Sequence, residues 1–226
     1  MPLYIVATPI GNLEDITWRA LRILKEADLI LSEDTRVTQK ILQHYEIKVP
    51  LLSYHHHSGI TKVNHIIELL KEAKKIALVS DAGTPGISDP GGELVHQVLA
   101  AIPDIQIEAI PGPSAVAAAL SISGMPTDKF LFLGFPPHKK GRQTFLAKIK
   151  ASEYPVVVYE SKHRIIKFLE ELTTVINPEA ELMVGRELTK MHETAYRGSV
   201  QKILAEIKAD TNAQRGEFVV IIKNKK

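Results

Sequence analysis

At 226 residues the chain can bury one large core or two small ones, and 45% apolar against 24% charged residues is the balance of a folded globular protein, not a disordered one. A formal charge of +2, from 28 basic and 26 acidic residues, excludes a generally basic nucleic-acid binder, so any such contact must be a local patch. The absence of cysteine excludes disulfides, thiolate nucleophiles and zinc–thiolate sites. No apolar run nears the ~20 residues of a membrane span, and the chain enters a strand-like LYIVA with no charged n-region and apolar h-region. A cytoplasmic protein with no membrane partner is expected.

Short β-rich runs alternate with helix-length amphipathic segments, the pattern of α/β layers. The first set places strands over 3–7, 29–31, 51–54, 76–80 and 105–110, and the second over 130–135, 156–160, 181–186 and 217–223. Helical spacing is read over 17–27, where Thr17 can cap and Ala20, Leu21, Leu24 and Ala27 recur on one face, and again over 62–73, 93–101, 114–123, 163–175 and 200–208. The segment SGMPTD, residues 123–128, falls between the two strand sets and marks the expected boundary between α/β domains at 1–122 and 123–226.

Three Gly/Pro-rich loops each follow an apolar strand. TPIGNLED, residues 8–15, has one glycine, Gly11, and reads either as a tight turn or as a place where backbone approaches a ligand. SDAGTPGISDPGG, residues 80–92, holds four glycines, two prolines and three hydroxyl residues in thirteen positions, more than a turn needs. Without a following Gly-Lys-Ser/Thr it is not a triphosphate loop, and a ligand of adenosine and amino-acid character with little net charge suits it better. IPGPSA, residues 110–115, opens a helix with Pro113 and Ser114, which a plain helix start also explains. Ligands of open α/β sheets bind beyond the carboxyl ends of the strands, where all three loops would lie.

The stretches VATPIGNLEDIT (6–17), SEDTR (32–36), LVSDAGTPGISDPG (78–91), IPGPSA (110–115), SGMPTDKFLFLGF (123–135), YESKHR (159–164), GRELTK (185–190) and GEF (216–218) resemble the tetrapyrrole methylase superfamily, in its branch acting on ribosomal RNA. The resemblance implies two α/β domains with S-adenosylmethionine in the cleft between them, a homodimer, and 2′-O-methylation of a cytidine in the decoding region of 16S rRNA, within the small ribosomal subunit. It places Ile10, Gly11, Ala82, Gly83, Thr84, Ile87, Ser114 and Ala115 near the cofactor, with Glu160 and Leu188 at the methionine and adenine ends. Thr84 stands where the tetrapyrrole branch has an acid, a role that Asp81 can take. Many members continue past the GEF strand with a helical segment whereas this chain stops at Lys226, so a weaker grip on RNA, or a shortened chain, is expected.

A ribose 2′-OH is a poor nucleophile and needs a proton acceptor. Asp34 and Arg36 in SEDTR, Glu160 with Arg164, and Glu187 with Lys190 are candidate pairs for this chemistry, with Arg36 also facing phosphate; a helix cap plus a surface ion pair explains SEDTR equally. Lys139, Lys140 and Arg142 in PPHKKGR form a candidate phosphate-contacting loop, or a solvated one. Trp18, Phe130, Phe132 and Phe135 read first as core and second as base-stacking residues. His55, His56 and His57 lack partner carboxylates at ligand spacing, and no metal is expected. A tetrapyrrole or diphthine-type methylase, and a non-catalytic RNA-binding assembly factor on the same scaffold, are the rival readings.

Overall fold

The computed structural model describes residues 2–55 and 58–225, so His56 and His57 of the histidine tract lie outside the described residues. The chain forms two compact α/β units, Met1–Ser114 and Ala115–Lys226.

In the first unit five strands, β1 (Leu3–Val6), β2 (Leu29–Ser32), β3 (Leu51–Ser53), β4 (Ile76–Val79) and β5 (Ile107–Ile110), make one sheet in the order β3-β2-β4-β1-β5. Every pairing is parallel. Buried-both-faces strands need apolar residues at successive positions, and β4, IALV, is buried at all four. Ala77 and Val79 join Ile30 and Val6 under α1 (Trp18–Glu26) and α2 (Thr35–His44). Ile76 and Leu78 join Leu3 and Leu31 under α3 (Ile60–Lys71) and α4 (Gly91–Ala101) on the other face. Thr17 caps α1 as expected, its Oγ1 accepting from the Ala20 N–H at 3.0 Å.

In the second unit β6 (Leu131–Gly134), β7 (Val156–Ser161), β8 (Glu181–Arg186), β9 (Thr194–Gly198) and β10 (Glu217–Lys223) make a sheet in the order β6-β7-β10-β8-β9. Only β6 and β7 pair in parallel; β10 lies antiparallel between β7 and β8. Alternation divides the sheet's two faces. Val156, Val158, Leu182, Val184, Phe218 and Val220 pack under α6 (Arg142–Ala151), α7 (Ile165–Val175) and α8 (Val200–Ala209). Val157, Met183, Val219 and Ile221 pack under Val116, Ala119 and Leu120 of α5 (Ala115–Ile122). That contact is why α5 belongs to the second unit, whereas the SGMPTD boundary assigned the 114–123 helix to the first.

Strands β9 and helices α2 and α6 are additional to the expected elements. Trp18, read first as core, is 88% exposed, and Phe130 and Phe135 are about half exposed, while Phe132 packs edge-on against Tyr159. Among the described residues, no helix is long and apolar enough to cross a membrane.

Candidate functional site

Because β1, β4 and β5 are parallel neighbours, the three Gly/Pro loops emerge together at the carboxyl end of the first sheet. They are tied to one another. Thr8 and Gly83 exchange both backbone hydrogen bonds, at 2.9 and 3.0 Å, joining the first loop to the second. The buried Thr8 hydroxyl donates to the Ser80 carbonyl at 3.1 Å. The Thr84 hydroxyl donates to the Pro113 carbonyl at 3.2 Å, joining the second loop to the third. Gly83 sits at φ +80°, a conformation that favours glycine, and a Cβ there would touch the Ile10 side chain at 3.4 Å. Ile10, Gly83 and Thr84 are thus brought together, while Gly11, Ala82 and Ile87 stand exposed beside them. Thr84 is engaged with a carbonyl, so its hydroxyl is a brace and no substitute for a carboxylate. Ser114 closes the first unit and Ala115 begins α5.

The loop after β2 joins the same end through Asp81, whose Oδ1 accepts the Asp34 N–H at 2.9 Å. Burial, followed by the neighbouring Asp34 charge, raises the Asp81 carboxyl above its usual range against the lowering effect of that N–H. Asp34 itself caps α2, accepting the Arg36 N–H at 2.9 Å, and pairs with the Arg36 guanidinium at 2.6 Å. These hydrogen bonds hold the Asp34 carboxyl down to about 2. Of the two, Asp81 therefore binds a proton more readily, the property a general base needs. SEDTR makes the cap and surface pair weighed above, and Arg36 extends into solvent with its side chain 87% exposed.

In the second unit YESKHR runs from the end of β7 into the turn that follows it. Glu160 is 1% exposed; its Oε1 pairs with Arg164 Nε at 2.9 Å and accepts the Ser161 N–H at 2.7 Å. Its Oε2 is buried with no hydrogen-bond partner. A buried carboxylate oxygen without a donor is costly, and the defect is removed by a ligand that brings an N–H or ammonium.

GRELTK runs from the end of β8 into a turn that folds against GEF. Glu187 Oε1 accepts the Glu217 N–H at 2.9 Å and pairs with Lys190 Nζ at 2.9 Å. Burial opposes ionisation of Glu187, but the Lys190 ammonium and the Glu217 N–H outweigh it and hold the carboxyl below its usual range. Gly216, at φ +104°, leaves room for this packing, since a Cβ would meet the Glu187 side chain at 2.5 Å. Glu187 and Thr189 both occupy the left-handed region, at φ 51° and 66°, on either side of Leu188. Strain of this kind, of order 1–3 kcal/mol per residue, collects at functional sites. The Leu188 side chain is buried in the core under α5, so this turn offers a ligand its backbone.

The PPHKKGR expectation divides. Lys139 and Lys140 are exposed, but Arg142 is only 7% exposed: its Nε contacts both Glu171 carboxylate oxygens at 2.9 Å and its Nη1 donates to the Pro137 carbonyl at 2.8 Å. Arg142 is therefore a buried brace and not a phosphate contact. Thr8 is the site residue that sequence reasoning passed over; its signal is a hydroxyl directly after an apolar strand that runs into a glycine loop.

The sequence patterns and this geometry are those of a known group. The model for the tetrapyrrole (corrin/porphyrin) methylases matches residues 2–204. The chain belongs to that family. Curated relatives of this methylase include the ribosomal RNA small subunit methyltransferase I of Thermotoga maritima, 43% identical over 223 residues, covering 99% of this chain and 98% of the relative. The protein of the same name from Synechocystis is 47% identical over 221 residues, covering 97% and 78%. Among solved structures, the uroporphyrin-III-C-methyltransferase of Thermus thermophilus superposes with a TM-score of 0.68 at 20% identity, over 98% of this chain and 94% of that one. The methyltransferase CobJ gives 0.68 at 18%, over 99% and 94%. These structures share the two-domain α/β fold of the methylases.

Proposed function

We propose that this chain is an S-adenosylmethionine-dependent methyltransferase that modifies a cytidine 2′-oxygen in the decoding region of small-subunit 16S rRNA, acting in the cytoplasm as a homodimer. The observation that carries the reading is the set of cofactor-type loops knitted through Thr8–Gly83 and Thr84–Pro113, in a chain 43–47% identical to ribosomal RNA small subunit methyltransferases I.

S-adenosylmethionine, when bound, supplies an electrophilic methyl group on a sulfonium. The residues present fit it. Ile10, Gly11, Ala82, Gly83, Thr84, Ile87, Ser114 and Ala115 offer apolar contact and backbone polar groups with little charge, as a sulfonium nucleoside requires. Glu160 offers a buried, donor-seeking Oε2 suited to an amino group, and the turn around Leu188 offers backbone. Methylation of a ribose 2′-oxygen would require its hydroxyl proton to leave. Asp81, with its raised carboxyl, is better suited to hold that proton than Asp34 or Glu187, whose partners keep them ionised. Positioning of the two reactants supplies the larger share of the acceleration. Arg36, Lys139 and Lys140 are the exposed cations assigned to phosphate.

The test is incubation of the full chain with labelled S-adenosylmethionine and undermethylated small subunits, followed by mapping of label by nuclease resistance. Label at one cytidine 2′-oxygen is the expected result. Transfer to a porphyrinoid but not to RNA, or no cofactor binding, overturns it.

A further inference from the structure

Two loops of the second unit leave the same end of the sheet side by side, because β6 and β7 are parallel neighbours. One is PPHKK after β6; the other is KHR after β7. Their backbones are joined by arginine: Arg164 Nη1 donates to the Pro136 carbonyl at 3.1 Å, while Arg142 Nη1 donates to the adjacent Pro137 carbonyl at 2.8 Å. Each arginine is itself held by a shielded glutamate, Arg164 by Glu160 and Arg142 by Glu171. An arginine so placed satisfies several acceptors at once with its planar fork and fixes the loops it touches.

The charges of this region sort by depth. The carboxylates of Glu160 and Glu171 are spent on the two buried or half-buried arginines. Lys139, Lys140 and Lys162 stand exposed, and among the described residues none of them is in an ion pair. His138 and His163 are exposed beside them. Elsewhere in this unit Lys202 and Lys208 are exposed and matched by glutamates, whereas Lys129, Lys148, Lys150 and Lys167 are exposed and, among the described residues, in no ion pair. What sets Lys139, Lys140 and Lys162 apart is their place on two adjacent loops fixed by Arg142 and Arg164.

We infer that Lys139, Lys140 and Lys162 form one braced basic ledge that docks the phosphate backbone of the RNA substrate, with Arg142 and Arg164 as positioning residues that never touch the RNA. This rests on the RNA-methylating reading above and adds to it Lys162, the second loop and the brace. Phosphate is the partner the charges select: unpaired ammonium groups held on a fixed backbone release counterions on contact with a polyanion.

The experiment is a fluorescence-anisotropy titration of the full chain with a fluorescein-labelled RNA stem-loop between about 50 and 200 mM salt. The variant Lys139→Gln/Lys140→Gln/Lys162→Gln is expected to bind about tenfold to hundredfold more weakly at ~0.1 M salt, with the slope of log affinity against log salt reduced by roughly 2. The charge-preserving Lys139→Arg/Lys140→Arg/Lys162→Arg variant is expected to keep both affinity and slope, which separates charge from folding. For the brace, Arg142→Lys keeps the charge beside Glu171 but not the planar fork, and is expected to lower the melting temperature modestly and to raise KM for RNA with kcat nearly unchanged. An unaltered salt slope in the glutamine variant overturns the ledge. Calorimetric titration with S-adenosylmethionine is read in parallel: loss of cofactor binding in the parent chain defeats the methyltransferase reading while leaving the RNA result to be judged by its own slope.

Discussion

At the end of the first sheet the loops are held to one another by backbone and hydroxyl groups, Thr8 to Gly83 and Thr84 to Pro113. The turns of the second sheet are held by ion pairs sunk into the fold, Glu160 with Arg164, Arg142 with Glu171, and Glu187 with Lys190. The first arrangement shapes a surface for a ligand of low charge at little electrostatic cost. The second fixes loop geometry at a desolvation cost that is recovered only while every partner remains. The two ends should therefore respond differently to substitution.

The largest effect is expected where the second arrangement is cut. Glu160→Ala leaves Arg164 without its partner, and about 3–5 kcal/mol of stability should be lost in urea unfolding. A loss under about 1 kcal/mol would mean that Arg164 simply swings to water and the turn is held by other contacts. In the first arrangement Gly83→Val forces a β-branched residue into φ +80° beside Ile10, moving the loop that faces the ligand. S-adenosylmethionine affinity should fall about a hundredfold or more by calorimetry, since displacements near 1 Å have effects of that order. Unchanged affinity would remove this loop from the cofactor site.

Acid titration sharpens the contrast at one carboxyl from each set of loops, since Asp81 is shifted up and Glu187 down, while Asp34 beside Asp81 is also held low. Glu187 is held below its usual range, so its ionised form contributes stability above the unfolded-state value, and that contribution is lost as pH falls through and below the ordinary glutamate range. Glu187→Gln should be less stable at neutral pH, by about 1 kcal/mol or less after solvent screening, with a flatter acid limb. Asp81 is raised, so its ionised form opposes folding as pH climbs through the folded-state value. Asp81→Asn should leave neutral-pH stability unchanged or slightly higher while methyl transfer falls. Chemical denaturation from neutral to acid pH checks both signs, and parallel behaviour of the two variants would erase the distinction.

Most of the fold was legible because its central strands are apolar runs buried at nearly every position, as IALV and EFVVIIK are. The elements that escaped have physical reasons. Strand β9, TAYRG, is half-exposed throughout and follows a polar turn, so its apolar signal is weak. Helix α6 begins at Arg142, inside what reads as a basic loop, and α2 begins inside SEDTR. Helix α5 was visible as a helix, but its partner was not, since AVAAALSI is apolar nearly all round and sequence gives no direction for it. Within the candidate site, the loop glycines and the acidic motifs could be read, whereas the division of PPHKKGR could not: nothing local distinguishes Arg142, sunk against Glu171 twenty-nine residues away, from its solvent-facing neighbours.

The smallest effect is expected at Trp18, where composition alone argued for the core. Successive helix positions turn by about 100°, so Trp18 lies roughly 200° around α1 from Ala20 and 240° from Leu24. Those two residues are buried against the first sheet, which points the indole away from it and explains its 88% exposure. Deleting an exposed ring removes little area from water on unfolding, so Trp18→Ala should change urea-unfolding stability by no more than about 0.5 kcal/mol. A loss above about 1 kcal/mol, growing with protein concentration, would instead show the ring covered by a second copy of the chain in solution, since a dimer's apparent stability rises with protomer concentration. The exposed face of α1 would then be a region held by association, in addition to the loops of the two sheets.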